Sequence, residues 1–244
     1  MKGLIAAAGF SARLVDLCDR QNKVLLDLGG ESILSTVLTH FEHAGVTDTL
    51  VVVGHDAASV RTACAARARC VLNPFFEHHG LLGSLWQVRH ELAGRPFVFT
   101  PGEHFFTLGR LAALLADQPA VDVLVDVELK APDDRGCKVY LTRHGRLRTI
   151  STACLDGPIL GETTGLVRAS AEGSEQLFTT LEKLVWQHGA GGSLAELLCQ
   201  VHKRWDLGFH LSGDHDRVTV DSPGDAARAQ ELYRRHARHA RHAG

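Results

Sequence analysis

The stretch GLIAAAGFSARL, residues 3–14, runs a short apolar strand into a glycine and on to an arginine, with NKVLLDLGG following at 22–30. A strand that breaks at Gly9 can bring backbone N–H groups close to phosphate oxygens, because glycine puts no side chain between them. Arg13 behind the turn adds a forked, permanent positive charge, and Lys23 sets an ammonium among leucines. The same residues also fit a plain strand-to-helix turn with a surface arginine, and a lysine whose stem lies along apolar neighbours. The turn lacks the full G-x-G-x-x-G and the Walker lysine pattern, so the rest of the chain has to decide.

Outward from that stretch, short apolar runs alternate with helical periodicity. SILSTVLTHFEHAG (32–45) places Ile33, Val37, Leu38 and Phe41 on one helical face and stops at Gly45, and TLVVVGH (49–55) is a fully apolar strand ending in a glycine turn. A helix over 57–68, a short strand CVLN (70–73) and a helix LLGSLWQVRHEL (81–92) follow. PFVFTPGEHFF (96–106) reads as one buried strand that delivers Gly102 and Glu103. This alternation predicts an α/β domain, Rossmann-like, with a mixed, mostly parallel sheet flanked by helices. Runs at 121–129, 138–150 and 159–170 read as strands, with a turn at His144–Gly145, and form a small β-rich extension over about 121–170. Helices near 173–188 and 193–204, then RVTV, a Ser-Pro turn and a terminal helix, complete a single domain over 1–233. The remainder, 234–244, repeats Arg-His-Ala and reads as a flexible tail without a catalytic role.

Composition removes several function classes. With 244 residues, 45% of them hydrophobic, the chain can bury a sizeable core. Its 26 Lys+Arg against 28 Asp+Glu give nucleic acid or an anionic membrane little to recognise. No apolar run approaches the ~20 residues needed to span a bilayer, and the first residues are too short and too punctuated for a signal peptide. The six cysteines show neither C-x-x-C pairing nor zinc-ligand spacing, so a cytoplasmic protein with reduced thiols is expected.

Open α/β sheets bind ligands beyond the carboxyl ends of their strands. Glu103 and Asp221 each follow an apolar strand, and two carboxylates so placed can converge on Mg²⁺ and a nucleotide phosphate. Either can equally be a loop carboxylate, and Asp221 can simply start the SPGD turn. Together with GLIAAAGFSARL and NKVLLDLGGESIL, the segments NPFFEHHGLLGSLWQVRHEL, GEHFF, DDRGCKVYLTRHGRLRTI, GETTGLVRAS and VTVDSPGDAARA resemble, in order, the sugar-phosphate nucleotidyltransferase superfamily of MobA-like, Rossmann-like NTP transferases. Within it the chain looks most like the small cytidylyltransferases for phosphocholine, inositol phosphate or phosphonates, phosphonoformate cytidylyltransferase of phosphonate antibiotic pathways being one candidate.

That resemblance implies attack by a phosphate or phosphonate acceptor on the α-phosphorus of CTP, with release of pyrophosphate. It implies nucleotide contacts from Ala7, Ala8, Gly9, Phe10, Ser11, Ala12 and Ser84, catalytic cations at Arg13 and Lys23, and Mg²⁺ on Glu103 and Asp221. Ala7 and Ala8 are as useful for packing as for binding. Lys138, Glu162 and Arg168 fall where the family puts its acceptor, and the few aromatic residues favour a small anionic acceptor over a quaternary amine. A homodimer stays open. Four positions depart from the family pattern: Ser11 for the second loop glycine, Ala12 for Ser/Thr, Asn22 for proline and Glu103 for aspartate. Two alternatives follow, a sugar-1-phosphate nucleotidyltransferase using another triphosphate and a non-catalytic nucleotide-binding regulator. A dinucleotide oxidoreductase is disfavoured, because His55 stands at the end of TLVVVGH where an acidic residue would meet a ribose.

Overall fold

The structure is a computed structural model that describes residues 1–10, 14, 18, 21–116, 120–127, 137–212 and 217–242, residues 212 and 237–242 by their backbone alone. β1 (Lys2–Ala7) lies inside the main sheet, with β2 (Asp48–Val53) parallel on one side and β4 (Phe97–Pro101) parallel on the other. β3 (Arg69–Leu72) extends the sheet beyond β2. Beyond β4 come β9 (Ile159–Ala169), β6 (Val121–Asp126) and β10 (Leu207–Ser212), giving the order β10-β6-β9-β4-β1-β2-β3. β9 runs antiparallel to both neighbours, which makes the sheet mixed but mostly parallel.

Strand residues alternate between two cores, as a sheet covered on both faces requires. Ile5, Val51 and Val53 point to one face, which is covered by α1 (Ile33–His43), α2 (Ala57–Cys64), α4 (Leu108–Ala116) and α7 (Pro223–His242). Leu4, Leu50 and Val52 point to the other, covered by α3 (Leu81–Leu92), α5 (Ala171–His188) and α6 (Leu194–His202). The caps follow the sequence. Ser32, Ser170 and Ser193 each accept a backbone N–H in the first turn of α1, α5 and α6. The predicted face of α1 is buried, and Gly45 takes the positive φ of 76° that ends it.

Three expectations change. PFVFTPGEHFF is not one strand: β4 stops at Pro101, whose nitrogen carries no proton for a ladder, and Gly102 turns back to donate to the Ala6 carbonyl at 2.8 Å. The chain then enters β5 (His104–Phe106), which pairs antiparallel with β11 (Arg217–Thr219) in a second small sheet. The β-rich extension is narrower than 121–170, because β6 and the latter half of β9 sit inside the main sheet. Only the hairpin of β7 (Cys137–Leu141) and β8 (Leu147–Ser151), turning at Gly145, lies off its path. Finally, α7 continues to His242, so most of the stretch assigned to a tail is helical backbone. None of the six cysteines forms a disulfide, and no helix of the described residues is long and apolar enough to cross a membrane.

His40 of α1 ties the small sheet to this framework, its ring 6.5 Å from that of Phe105 and 6.0 Å from that of Phe106. Burial, then the charge of His43, push its pKa from 6.5 down to about 4, against a hydrogen bond to the Phe106 backbone that raises it. The unfolded chain therefore takes up this proton before the folded one does. The contribution is complete above the unfolded value and is lost as pH falls through the folded one, by about 2 kcal/mol between about pH 7 and pH 5. Urea titrations at those two pH values should show the wild type losing that much more stability than His40→Gln.

A second expectation concerns packing. A Cβ on Gly173 would stand 1.8 Å from the Ala120 carbonyl oxygen. Alanine gains about 1 kcal/mol in helix propensity over glycine, but forced overpacking costs about 1–3 kcal/mol, and so short a backbone contact belongs at the upper end. Gly173→Ala should lower Tm by about 4–8 °C, read by calorimetry.

Candidate active site

The strand order reverses between β1 and β4, where an α/β sheet opens a crevice at its carboxyl edge. Beyond that edge lies a cleft of about 690 Å³. Ala8, Gly9 and Phe10 from the end of β1 form one wall, and Ser84 and Leu81 at the start of α3 form another. Lys23 and Glu103 stand on its floor, and His55, Phe76 and His79 line the remaining side. The His55 ring meets Phe10 edge-on at 4.8 Å and lies 6.4 Å from Phe76, a patch that could take the face of a base.

Lys23 opens a single 3-10 turn, Lys23–Leu25. Its ammonium sits 3.3 Å from Glu103 Oε2 and 3.5 Å from Asp221 Oδ1, with only 13% of the side chain exposed. Glu103 occupies the turn between β4 and β5. Asp221 is brought beside it because β11 pairs with β5 and Val220 N–H donates to the Glu103 carbonyl at 2.9 Å. Ser222 and Asp225 then close a cap on α7, Ser222 Oγ donating to Asp225 Oδ2 at 2.7 Å. Two carboxylates far apart in sequence thus converge on one positive charge. Such hard oxygen donors, 28% and 42% exposed, fit Mg²⁺, which keeps several waters and takes one or two carboxylates plus substrate phosphates.

His104, next to Glu103, is buried and held neutral. Burial foremost, then the charges of Arg217 and Lys23, lower its pKa to about 3, with Asp221 opposing. Its ring lies against Gly165 of β9, which also packs on Pro101 at the end of β4. Nearer the start of β9, Glu162 pairs in register with Lys138 of β7 and Asp126 of β6. Lys138 Nζ is 4.0 Å from Glu162 Oε1, and Arg217 forms an ion pair with Asp126.

Among the expected site residues, Ala8, Gly9, Phe10, Lys23, Ser84 and Glu103 line one cleft, and Asp221 joins it through Lys23. Ser11, Ala12 and Arg13 lie outside the described residues. Ala7 turns its side chain into the core behind β1. Lys138 is fully buried, with its ammonium 4.0 Å from Glu162 Oε1. Arg168 is not brought to the site: in register with Val98 and Asp122, it lies toward the amino end of β4, away from the edge that carries the cleft. His55, Phe76, His79 and His104 were not singled out in advance. Their signal was the break of an apolar strand at His55 and the aromatic and histidine cluster of NPFFEHHG.

Comparison with known proteins agrees with this geometry. A family model, the MobA-like NTP transferase domain, matches residues 3–156, and the chain belongs to that family. It is therefore of the nucleotidyltransferase class. A candidate glucose-1-phosphate thymidylyltransferase from Bacillus anthracis, solved with sucrose, superposes with a TM-score of 0.80 at 16% identity over 95% of this chain and 94% of that one. The inositol-1-phosphate CTP transferase from T. maritima gives 0.77 at 17% identity over 95% and 94%. CTP:phosphocholine cytidylyltransferase from Streptococcus pneumoniae gives 0.72 at 15% identity over 95% and 98%. At these identities the likeness is one of fold. No curated protein sequence matches the chain.

The crowding at Gly102 offers a direct check on the cleft floor. A Cβ there would stand 2.5 Å from Val24 Cγ1 and 2.8 Å from the Ala6 carbonyl oxygen, pushing Glu103 and the turn of Lys23 apart. Gly102→Ala should lower nucleotidyl transfer at least about tenfold per folded molecule. Gly109→Ala, with open space around the new methyl, should leave it unchanged.

Proposed function

We propose that this protein is a CTP-dependent cytidylyltransferase that joins CMP to a small phosphate or phosphonate acceptor and releases pyrophosphate. The observation that carries the reading is the convergence of Lys23, Glu103 and Asp221 at the mouth of the β1/β4 crevice. A transferase of this kind needs little covalent chemistry from its side chains. The acceptor oxygen is already an anion at neutral pH, so the task is to hold two mutually repelling anions in line and to spread the charge that grows on the leaving group.

In this reading the triphosphate lies along the carboxyl edge of the sheet, its phosphates on the backbone N–H groups around Gly9 and its base against Ala8 and Ser84. The acceptor oxygen attacks the α-phosphorus as the bond to the bridging oxygen breaks, and pyrophosphate carries the electron pair away. Lys23, released from its carboxylates, follows the α-phosphate and the leaving group. Glu103 and Asp221 would hold Mg²⁺, which supplies charge neutralisation on the reacting phosphates. Arg13 joins this proposal as a second phosphate-binding cation. On the acceptor side, Glu162, backed by Lys138, and the Arg217–Asp126 pair offer charges of both signs. The choice of CTP rests on the sequence resemblance to the small cytidylyltransferases; the neighbours named above, two that use CTP and one thymidylyltransferase, share the fold.

Calorimetry with CTP, UTP, GTP, ATP and dTTP in Mg²⁺ should give selective CTP binding. Lys23→Ala should lower pyrophosphate release by roughly a hundredfold or more. Preference for another triphosphate would move the protein to the sugar-1-phosphate class, and binding without pyrophosphate release for any acceptor would make it a regulator. Lys138→Met should reduce turnover at fixed acceptor while leaving nucleotide affinity unchanged.

A further inference from the structure

We propose that Asn22 is a positioning residue for nucleotidyl transfer: a buried clamp that fastens the turn of Lys23 to the carboxyl ends of β1 and β2. The inference rests on Lys23 acting at the phosphates. Asn22 is 1% exposed, and its side chain uses both ends of the amide. Nδ2 donates to the Ala7 carbonyl at 2.7 Å and to the His55 carbonyl at 2.9 Å, while Oδ1 accepts from Val24 N–H at 3.2 Å. Its own N–H donates to Asp56 Oδ2 at 3.3 Å, and Asp56 in turn is held by Ser59 Oγ at 2.7 Å.

The placement of these bonds gives the residue its role. Ala7 ends β1, and His55 follows β2, whose end is joined to β1 by His55 N–H donating to the Ala8 carbonyl at 3.0 Å. One side-chain amide therefore bridges two strand ends and the Val24 N–H in the turn that begins at the very next residue, Lys23. Asp56, the other partner, is a non-glycine residue held at φ 50°, a conformation that persists only where surrounding contacts enforce it. The direction of the Lys23 stem is thus set from below by the sheet, and its ammonium is met from above by Glu103 and Asp221.

Where the resembling motif has proline, this chain has an asparagine with φ −66°, the angle a proline ring imposes. The two residues reach one backbone direction by different means, a ring that limits φ and an amide that is tied down. This correspondence supplies the rescue experiment. Proline at position 22 keeps φ but removes the N–H to Asp56 and the three side-chain bonds, so recovery should be partial.

The test compares Asn22→Ala, Asn22→Pro and, as a destabilised control, Gly173→Ala. One readout is the NMR signal of the Lys23 side chain in protein labelled at lysine Cε, assigned by its disappearance in Lys23→Arg. The other is steady-state turnover of CTP with Mg²⁺ and phosphocholine or inositol 1-phosphate. In folded Asn22→Ala the Lys23 signal should move to the position of a solvated lysine. kcat should fall at least tenfold with KM for CTP changed less than twofold, the split expected when placement in the transition state is lost. Asn22→Pro should regain part of both, and Gly173→Ala should change neither per folded molecule. An unmoved Lys23 signal in folded Asn22→Ala overturns the inference, as does a loss of turnover that tracks only the folded fraction. If the wild type turns over no triphosphate with any member of a panel of phosphate and phosphonate acceptors, the proposed function fails, and the Lys23 signal still decides whether Asn22 positions the lysine.

Discussion

Three parallel strands stop at one level. The register that sets Ala7 beside Val53, and Ala6 beside Pro101, brings the ends of β1, β2 and β4 together, and the cleft is the space above them. That register follows from burial: each strand is apolar on both faces, and a slip by one residue would exchange the residues that face the two helix layers. Everything chemical in the molecule hangs on this edge. Gly102 folds back onto β1, Asn22 bridges β1 to β2, and β5 leaves the sheet there to collect β11 and with it Asp221.

The resulting charge arrangement is compact. Lys23 is mostly shielded from water and held by two carboxylates, so its charge is compensated, with one negative charge in excess, before any ligand arrives. Buried charge is tolerated only in that form. A triphosphate with its metal ion brings both signs as well, and can exchange partners with the protein without leaving a charge unpaired. The same economy governs the neighbouring charges, where Lys138 lies wholly buried against Glu162 and Arg217 forms an ion pair with Asp126. The neighbouring histidine stays neutral in this company, since two cations and a dry environment all disfavour its proton.

Much of this was legible in the chain. The alternation of β-branched runs with amphipathic helices sufficed for the fold class, and the apolar face of the first helix and its closing glycine appear as read. Glu103 and Asp221 could be picked out because each follows an apolar strand, and Lys23 because it sets a cation among leucines. Arg168 could not be judged by the same rule. It stands near the end of β9, but β9 runs antiparallel to β4, so its end lies at the opposite edge of the sheet from the cleft. Strand direction is a property of pairing, and one segment carries no mark of it. The burial of Lys138 was illegible for a related reason: it depends on the pairing of β7 with β9, which sets Glu162 beside it.

The sequence by itself determined the elements, their apolar faces and the residue types able to handle phosphate, because local periodicity and turn chemistry are written in neighbouring residues. Only the tertiary structure decided which carboxylates meet Lys23, that Asn22 is a clamp and that His104 is dry. Those facts depend on contacts between residues as far apart as Lys23 and Asp221, and on the exclusion of water, which no single stretch of chain can specify.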